Sequence, residues 1–148
     1  MLEDIIKNSN KDLEEVFKNM FADGVPENEM PTYANRPEVL PTTDTVIERT
    51  ISASKVSEAA KRLGLTRYGL LMSVMGITLG KYCGSEDVVV GTAMSGRTMA
   101  EQERMIGMFV NTLPIRMRAK GDMCLVDFVK QTQQTIRTVK ENQTYPFE

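Results

Sequence analysis

The stretch that decides the fold is SEDVVVGTAMSGRTMAEQERMIGMFVNTLPIRMR, residues Ser85 to Arg118. Its β-branched run at residues 88–90 is typical of a strand that is buried on both faces. Gly91 and Gly96 then enclose a short polar segment, residues 92–95, which predicts a loop where the backbone can pass close to another chain or a ligand. The first half of the stretch therefore predicts a strand followed by a glycine-bounded loop.

The second half of the stretch predicts a short helix and another strand. Residues 99–108 have helical spacing at Met105 and Met108. The run from Phe109 to Leu113 predicts the start of a strand that carries Asn111 among apolar neighbours. A polar side chain in such a run requires a hydrogen-bond partner or has a functional role.

Helices and one more strand flank this stretch. Residues 1–22 carry apolar side chains at helical spacing, and TVIERTI, residues 45–51, has the composition of a strand. Residues 23–44 contain four prolines, which exclude regular secondary structure across that span. Capping residues and glycines predict three further helices, which run from Ser52 or Ser54 to Gly64, from Thr66 to Tyr82 and from about Cys124 to Asn142. The inward face of the last helix is predicted to consist of Leu125, Phe128, Val129, Thr132, Ile136 and Val139.

Composition excludes several classes of function. The chain has 148 residues, 41% of them hydrophobic and 26% charged, which is ordinary for a globular domain. Its net charge of −2 offers no basic surface for nucleic acid, and no apolar run approaches the ~18 residues of a membrane span. Residues 1–10 lack the pattern of a signal peptide, and Cys83 and Cys124 do not make a disulfide framework. These features predict a cytoplasmic protein with two reduced thiols.

The chain contains no histidine. Histidine is the usual general base near neutral pH because its unperturbed pKa lies there. Ser–His and Cys–His catalysis within this chain are therefore excluded, and so are zinc sites that need imidazole. Cys83 and Cys124 alone cannot complete a structural zinc site, so we predict no metal and no catalytic residue.

Three motifs carry a resemblance to a known family. VVVGTAMSGRT, IGMFVNTLPIR and the terminal NQTYPFE resemble, in order and spacing, the condensation domains of nonribosomal peptide synthetases. The resemblance implies an α/β fold, namely a truncated chloramphenicol acetyltransferase-like half-domain with a mixed sheet covered by helices. It also divides the chain into an N-terminal helix with a proline-rich inter-lobe linker, residues 1–43, and a partial C-terminal lobe, residues 44–148.

The resemblance implies part of an enzyme that forms peptide bonds. Condensation domains join aminoacyl or peptidyl groups that carrier proteins hold as phosphopantetheine thioesters. The family's catalytic His-His-x-x-x-Asp-Gly motif belongs to the N-terminal lobe, which this sequence lacks, so the isolated chain is expected to be inactive. The implied partners are peptidyl carrier protein domains and the missing lobe, with no cofactor bound directly, no nucleic acid and no membrane.

Five residues are implied by the resemblance to lie at the substrate tunnel: Ser95, Gly96, Arg97, Asn111 and Thr112. The residues themselves leave their roles open. Arg97 could hold a carboxylate or phosphate, or it could tie its loop to a neighbouring acid. Asn111 and Thr112 could bind a substrate amide, or they could satisfy buried backbone groups. The segment from Tyr145 onward is interpreted as a packing anchor.

Two alternatives from other classes remain open. One is a non-catalytic module that binds carrier proteins or acyl chains. The other is a structural fragment that forms a homo-oligomer, because an unfinished sheet leaves open strand edges that can pair with a second copy.

Overall fold

The computed structural model describes residues 12–32, 39 and 46–145. The chain is helical over residues 12–20, which we call α1. The elements that follow are α2 (Ala53–Arg62), α3 (Arg67–Cys83), β1 (Asp87–Met94), a 3₁₀ helix (Ala100–Arg104), β2 (Asn111–Arg118) and α4 (Leu125–Glu141). The predicted α/β class and the order of these elements are confirmed.

Capping side chains begin α2 and α3 where the sequence predicts. The Ser52 hydroxyl accepts a hydrogen bond from the Lys55 amide at 3.5 Å, and the Thr66 hydroxyl accepts one from the Gly69 amide at 2.9 Å. Gly84 ends α3 in the left-handed conformation, at φ 64°. Among the described residues no single helix has the length and apolar character to cross a membrane; α2 and α3 meet that criterion only jointly, with a 90° bend between them.

The sheet is formed by β1 and β2, which pair antiparallel with Val90 opposite Ile115. The predicted loop over residues 92–95 is wrong at residues 92–94, because these pair with residues 111–113 and extend β1. β2 correspondingly begins at Asn111 rather than Phe109. The predicted helix over residues 99–108 shortens to five residues of 3₁₀ helix.

The predicted strand over residues 45–51 is wrong for its described part. Residues 46–52 contain no strand, and Val46 and Ile47 are 78% and 77% exposed. An extended segment becomes a strand only when a neighbour takes its backbone hydrogen bonds, and the described residues supply no such neighbour. For the same reason the described sheet has two antiparallel strands and is not the mixed sheet that the sequence predicts.

The core lies between one face of the sheet and the helices α3 and α4. Its strand residues are Val88, Leu113, Ile115 and Met117. α3 approaches closely at Gly76, where an added Cβ would lie 2.7 Å from the Met117 sulfur. The predicted inward face of α4 is confirmed except at Leu125, the first residue of the helix, which is 58% exposed. The prediction that β1 is buried on both faces is wrong, since Val88 is buried while residues 89 and 90 are only half-buried.

α1 packs into the same core. Phe17 is 8% exposed, and its ring centroid lies 5.0 Å from that of Tyr145. The predicted helix over residues 1–22 is therefore confirmed at residues 12–20, and its part before residue 12 lies outside the described residues. Predictions about residues 33–38, 40–45 and 146–148 also lie outside them. The division at residue 43 stays a prediction.

Candidate functional site

The three motifs of the resemblance meet at one end of the sheet. The side-chain oxygen of Gln143, just past α4, accepts a hydrogen bond from the Gly96 amide at 3.2 Å. The side-chain amide of Asn111 donates to the backbone carbonyl of Gln143 at 3.1 Å and also to that of Tyr145. Segments that are far apart in sequence therefore form a single hydrogen-bonded network.

Gly96 occupies a position that only glycine fits. Its φ is +65°, in the left-handed region that disfavours a side chain. An added Cβ would also lie 1.8 Å from the carbonyl oxygen of Phe109. The turn after β1 thus brings two backbone segments into direct contact, as its glycine predicts. Beside it, the Ser95 hydroxyl accepts a hydrogen bond from the Arg97 amide at 3.4 Å.

Arg97 holds the segment between the strands. Its guanidinium donates to the carbonyl oxygens of Gln102, Met105 and Gly107, the last two at 3.1 and 3.3 Å. The same group lies 4.2 Å from the centre of the Phe109 ring. Among the described residues, the partners of Arg97 are backbone carbonyls and an aromatic ring, and none is an acidic side chain. These contacts also compete with a regular helix over residues 99–108.

The segment that Arg97 holds presents apolar side chains to solvent. We call residues 98–110 the methionine loop. Its most exposed apolar side chains, between 53% and fully exposed, are Met99, Met105, Ile106, Met108 and Val110. Such a cluster on a loop with fixed backbone partners is typical of a surface that meets another molecule.

Thr112 lies on the other face of the sheet from Asn111. Successive strand residues point to opposite faces, so the two do not act as a pair. Thr112 borders an open apolar cavity of about 330 Å³, whose remaining lining is Phe17, Val89, Gly91, Leu113, Pro114 and Tyr145. The structure therefore joins Gly96, Arg97 and Asn111 in one network and leaves Thr112 apart from it.

A buried arginine, which the sequence analysis missed, ties α1 to the sheet. The Arg116 side chain is 6% exposed. It contacts Asp87 through two nitrogens, at 3.0 and 2.6 Å, and Asp23 at 2.9 Å. Arg118 contacts Asp23 at 2.6 Å and Asp87 at 3.2 Å. Charged side chains are rarely buried unless they are paired, so an arginine in an otherwise apolar strand indicates that an acidic partner lies nearby. This signal is present in the sequence.

These ion pairs shift the pKa values of the groups involved. The hydrogen bond that Arg116 donates to the Asp87 carboxylate is the largest influence on Arg116 and raises its pKa above the usual value. The hydrogen bond from Arg118 is the largest influence on Asp23 and holds its pKa below the usual value. Both shifts favour the charged forms, so the network is electrostatically matched at neutral pH.

Asn28 binds the free edge of β1. Its side-chain amide donates to the carbonyl oxygen of Asp87 at 2.9 Å, and its side-chain oxygen accepts from the Val89 amide at 2.8 Å. One side chain thus occupies the positions that a neighbouring strand would take. No sequence signal distinguishes Asn28 from other polar residues in its segment.

The chain matches a known protein family over nearly its whole length. The model for the condensation domain matches residues 6–148. Bacitracin synthase 3 of Bacillus licheniformis is 34% identical over 145 residues, which are 96% of this chain and 2% of that protein. Bacitracin synthase 2 of the same organism is 35% identical over 142 residues, which are 93% of this chain and 5% of that protein. The chain thus spans only a few per cent of these relatives.

Solved structures agree on the fold. The X-domain from teicoplanin biosynthesis, in its complex with OxyB, matches 94% of this chain and 31% of its own, with a TM-score of 0.78 and 22% identity. A four-domain nonribosomal peptide synthetase bound to AMP and glycine matches 64% of this chain and 7% of its own, with a TM-score of 0.61 and 30% identity. With its motifs in one network and its family model matched over residues 6–148, the chain belongs to the condensation domain family of nonribosomal peptide synthetases.

Proposed function

We propose that this chain forms one wall of the substrate tunnel of a peptide-bond-forming condensation domain. The observation that carries the proposal is the network in which Gly96, Asn111 and Gln143 join the three motifs. In the proposed reaction, an amine on one phosphopantetheine arm attacks the thioester carbonyl of an acyl group on another. A peptide bond forms, the carbon–sulfur bond breaks, and the released thiol takes up the proton.

The apolar cavity beside Thr112 is the proposed place for the acyl group. Its volume of about 330 Å³ lies within the range of small-molecule sites. Apolar residues line most of it, and Thr112 and Tyr145 are the lining residues that carry a hydroxyl group. Ser95, Gly96 and Arg97 would support the wall from the other side of β2.

A titration with a purified peptidyl carrier protein tests this proposal. The carrier bears a leucyl group as a thioester on its phosphopantetheine arm, and the same carrier without the arm serves as the control. We expect chemical-shift changes at Gly91 and Thr112 only with the loaded carrier. Absence of any shift at millimolar carrier would contradict the proposal.

Replacing Gly91 tests the cavity itself. A Cβ at Gly91 would meet only the Thr112 methyl group, at 3.4 Å, so Gly91→Val narrows the cavity while leaving the strand intact. We expect this variant to lose the response to the loaded carrier. Gly121→Val, far along the turn after β2, is the control and should respond normally.

We propose further that the chain alone forms no peptide, since it has no histidine to act as the base. Incubation with loaded donor and acceptor carriers should give no product above background. Adding the separately produced remainder of a condensation domain, which includes the N-terminal lobe with the His-His-x-x-x-Asp-Gly motif, should give product. Peptide formed by the chain alone would contradict this expectation. A cytoplasmic location belongs to the same proposal and is supported by the two free cysteines.

The free edge of β1 favours self-association as a second candidate function. Asn28 occupies the edge only at Asp87 and Val89. Strand alternation directs the backbone groups of Gly91 and Ala93 to the same edge, and both residues are exposed. An open edge of this kind can pair with a second copy. Light scattering should show dimers that Ala93→Lys abolishes, and a monomer at all concentrations would contradict the idea.

A further inference from the structure

Gln143 is a buried polar residue at the centre of the motif network. It is 9% exposed and follows Asn142, the residue that caps α4. Its side-chain oxygen accepts a hydrogen bond from the Gly96 amide, and its backbone carbonyl accepts one from the Asn111 side chain. One residue therefore holds both ends of the connection between β1 and β2.

Gly96 links the hydrogen bond with Gln143 to the methionine loop. The left-handed backbone of Gly96 sets the direction in which the chain leaves β1, and Arg97 is the next residue. Arg97 donates hydrogen bonds to three carbonyl groups of the loop, and its guanidinium lies over the Phe109 ring. The orientation of the loop consequently depends on the backbone geometry at Gly96.

We propose that Gln143 is a positioning residue, whose side-chain oxygen fixes the Gly96 amide and, through Arg97, the orientation of the methionine loop. The proposal deepens the function proposed above and takes its functional meaning from it, because Gly96 and Arg97 belong to the proposed tunnel wall. It also assigns to the terminal NQTY segment a role that packing alone would not give it.

Amide hydrogen exchange, followed by NMR residue by residue at pH 7, tests the proposal. Gln143→Met keeps the length of the side chain and removes the acceptor. We expect exchange about tenfold faster at Gly96, Gln102 and Met105, which corresponds to the loss of one net hydrogen bond. Gln143→Glu keeps an acceptor oxygen and should restore slow exchange at Gly96.

Gln133→Met is the matched control. Gln133 is buried to the same degree, and its side-chain oxygen accepts from the Thr66 amide at 3.1 Å, at the start of α3. This variant should speed exchange at Thr66 and leave Gly96 unchanged. Equal exchange at Gly96 in Gln143→Met and the unaltered chain would overturn the proposal, as would a uniform increase throughout the chain.

Two further measurements test the role of Gln143. If Gln143→Met does not fold, the exchange of Gly96 in the unaltered chain decides, because a fast-exchanging Gly96 amide would overturn the hydrogen bond itself. In the carrier titration, Gln143→Met should weaken binding at least several-fold while Gln133→Met leaves it unchanged. If the unaltered chain binds no loaded carrier, the tunnel-wall function fails, and the exchange pattern still decides the role of Gln143.

Discussion

At the scale of single residues, backbone geometry and hydrogen bonds within the chain define the site. Gly96 brings the β1 turn against Phe109, and Arg97 donates to three backbone carbonyl groups and lies over the Phe109 ring. The Asn111 side-chain amide donates hydrogen bonds to two carbonyl groups beyond α4. These polar side chains therefore bind other parts of the chain.

Replacing Gly96 with alanine should destabilise the chain by roughly 3 kcal/mol or more, because the left-handed conformation and the contact with Phe109 both oppose a Cβ. Urea denaturation measures the free energy of unfolding. Gly64→Ala is the matched control, since Gly64 has a φ of +68° with nothing within 4 Å. It should cost only about 1–2 kcal/mol. Equal losses in the two variants would contradict the close approach at Gly96.

At the scale of elements, α4 covers the sheet with one face, and its first residue, Leu125, lies outside the core. Phe128 is 3% exposed whereas Leu125 is 58% exposed. We expect Phe128→Ala to lower the free energy of unfolding by about 3–5 kcal/mol. Leu125→Ala should change it by less than about 0.5 kcal/mol. A large loss at Leu125 in urea denaturation would show that this residue does contact the core.

The junction between α1 and the strands should weaken in acid. The pKa of Asp23 is held below its usual value by Arg118, so its ionised form stabilises the folded chain at pH values above about 4. This stabilisation is lost as the pH falls through the lowered pKa, because protonation removes the ion pairs. Thermal melts between pH 6 and pH 2 should show a fall that Asp23→Asn reduces. An identical pH dependence in that variant would contradict the role of Asp23.

At the scale of the whole molecule, α1 and the segment after it are part of the folded unit. Phe17 lies in the core, Asp23 pairs with Arg116, and Asn28 binds the β1 edge. The predicted linker thus contributes contacts to the lobe that it is predicted to precede.

A chain that begins at residue 29 should consequently lose most of its stability. Loss of Phe17 alone is equivalent to a core deletion of about 3–5 kcal/mol, a large part of the ~5–15 kcal/mol that typical domains have. Circular dichroism should show a broad transition at lower temperature. A chain that begins at residue 12 keeps all of these contacts and is the control. Equal melting of the two chains would contradict the contribution of residues 12–28.

Local sequence determined much of this protein by itself. Ser52 and Thr66 begin helices and Gly84 ends one, because capping groups and left-handed glycines act on backbone groups within a few residues. The apolar spacing of α4 determined which side faces the core, and the three motifs determined the family. The residue type of Gly96 also permits its left-handed turn.

Tertiary structure alone decided where strands end and which side chains meet. Residues 92–94 became strand because residues 111–113 lie opposite, and residues 46–51 did not because the described residues give them no partner. The contacts from Gln143 to Gly96 and from Asn28 to Val89 join residues 47 and 61 positions apart. Strand pairing and side-chain hydrogen bonds depend on distances in space, which the periodicity of a single sequence does not encode.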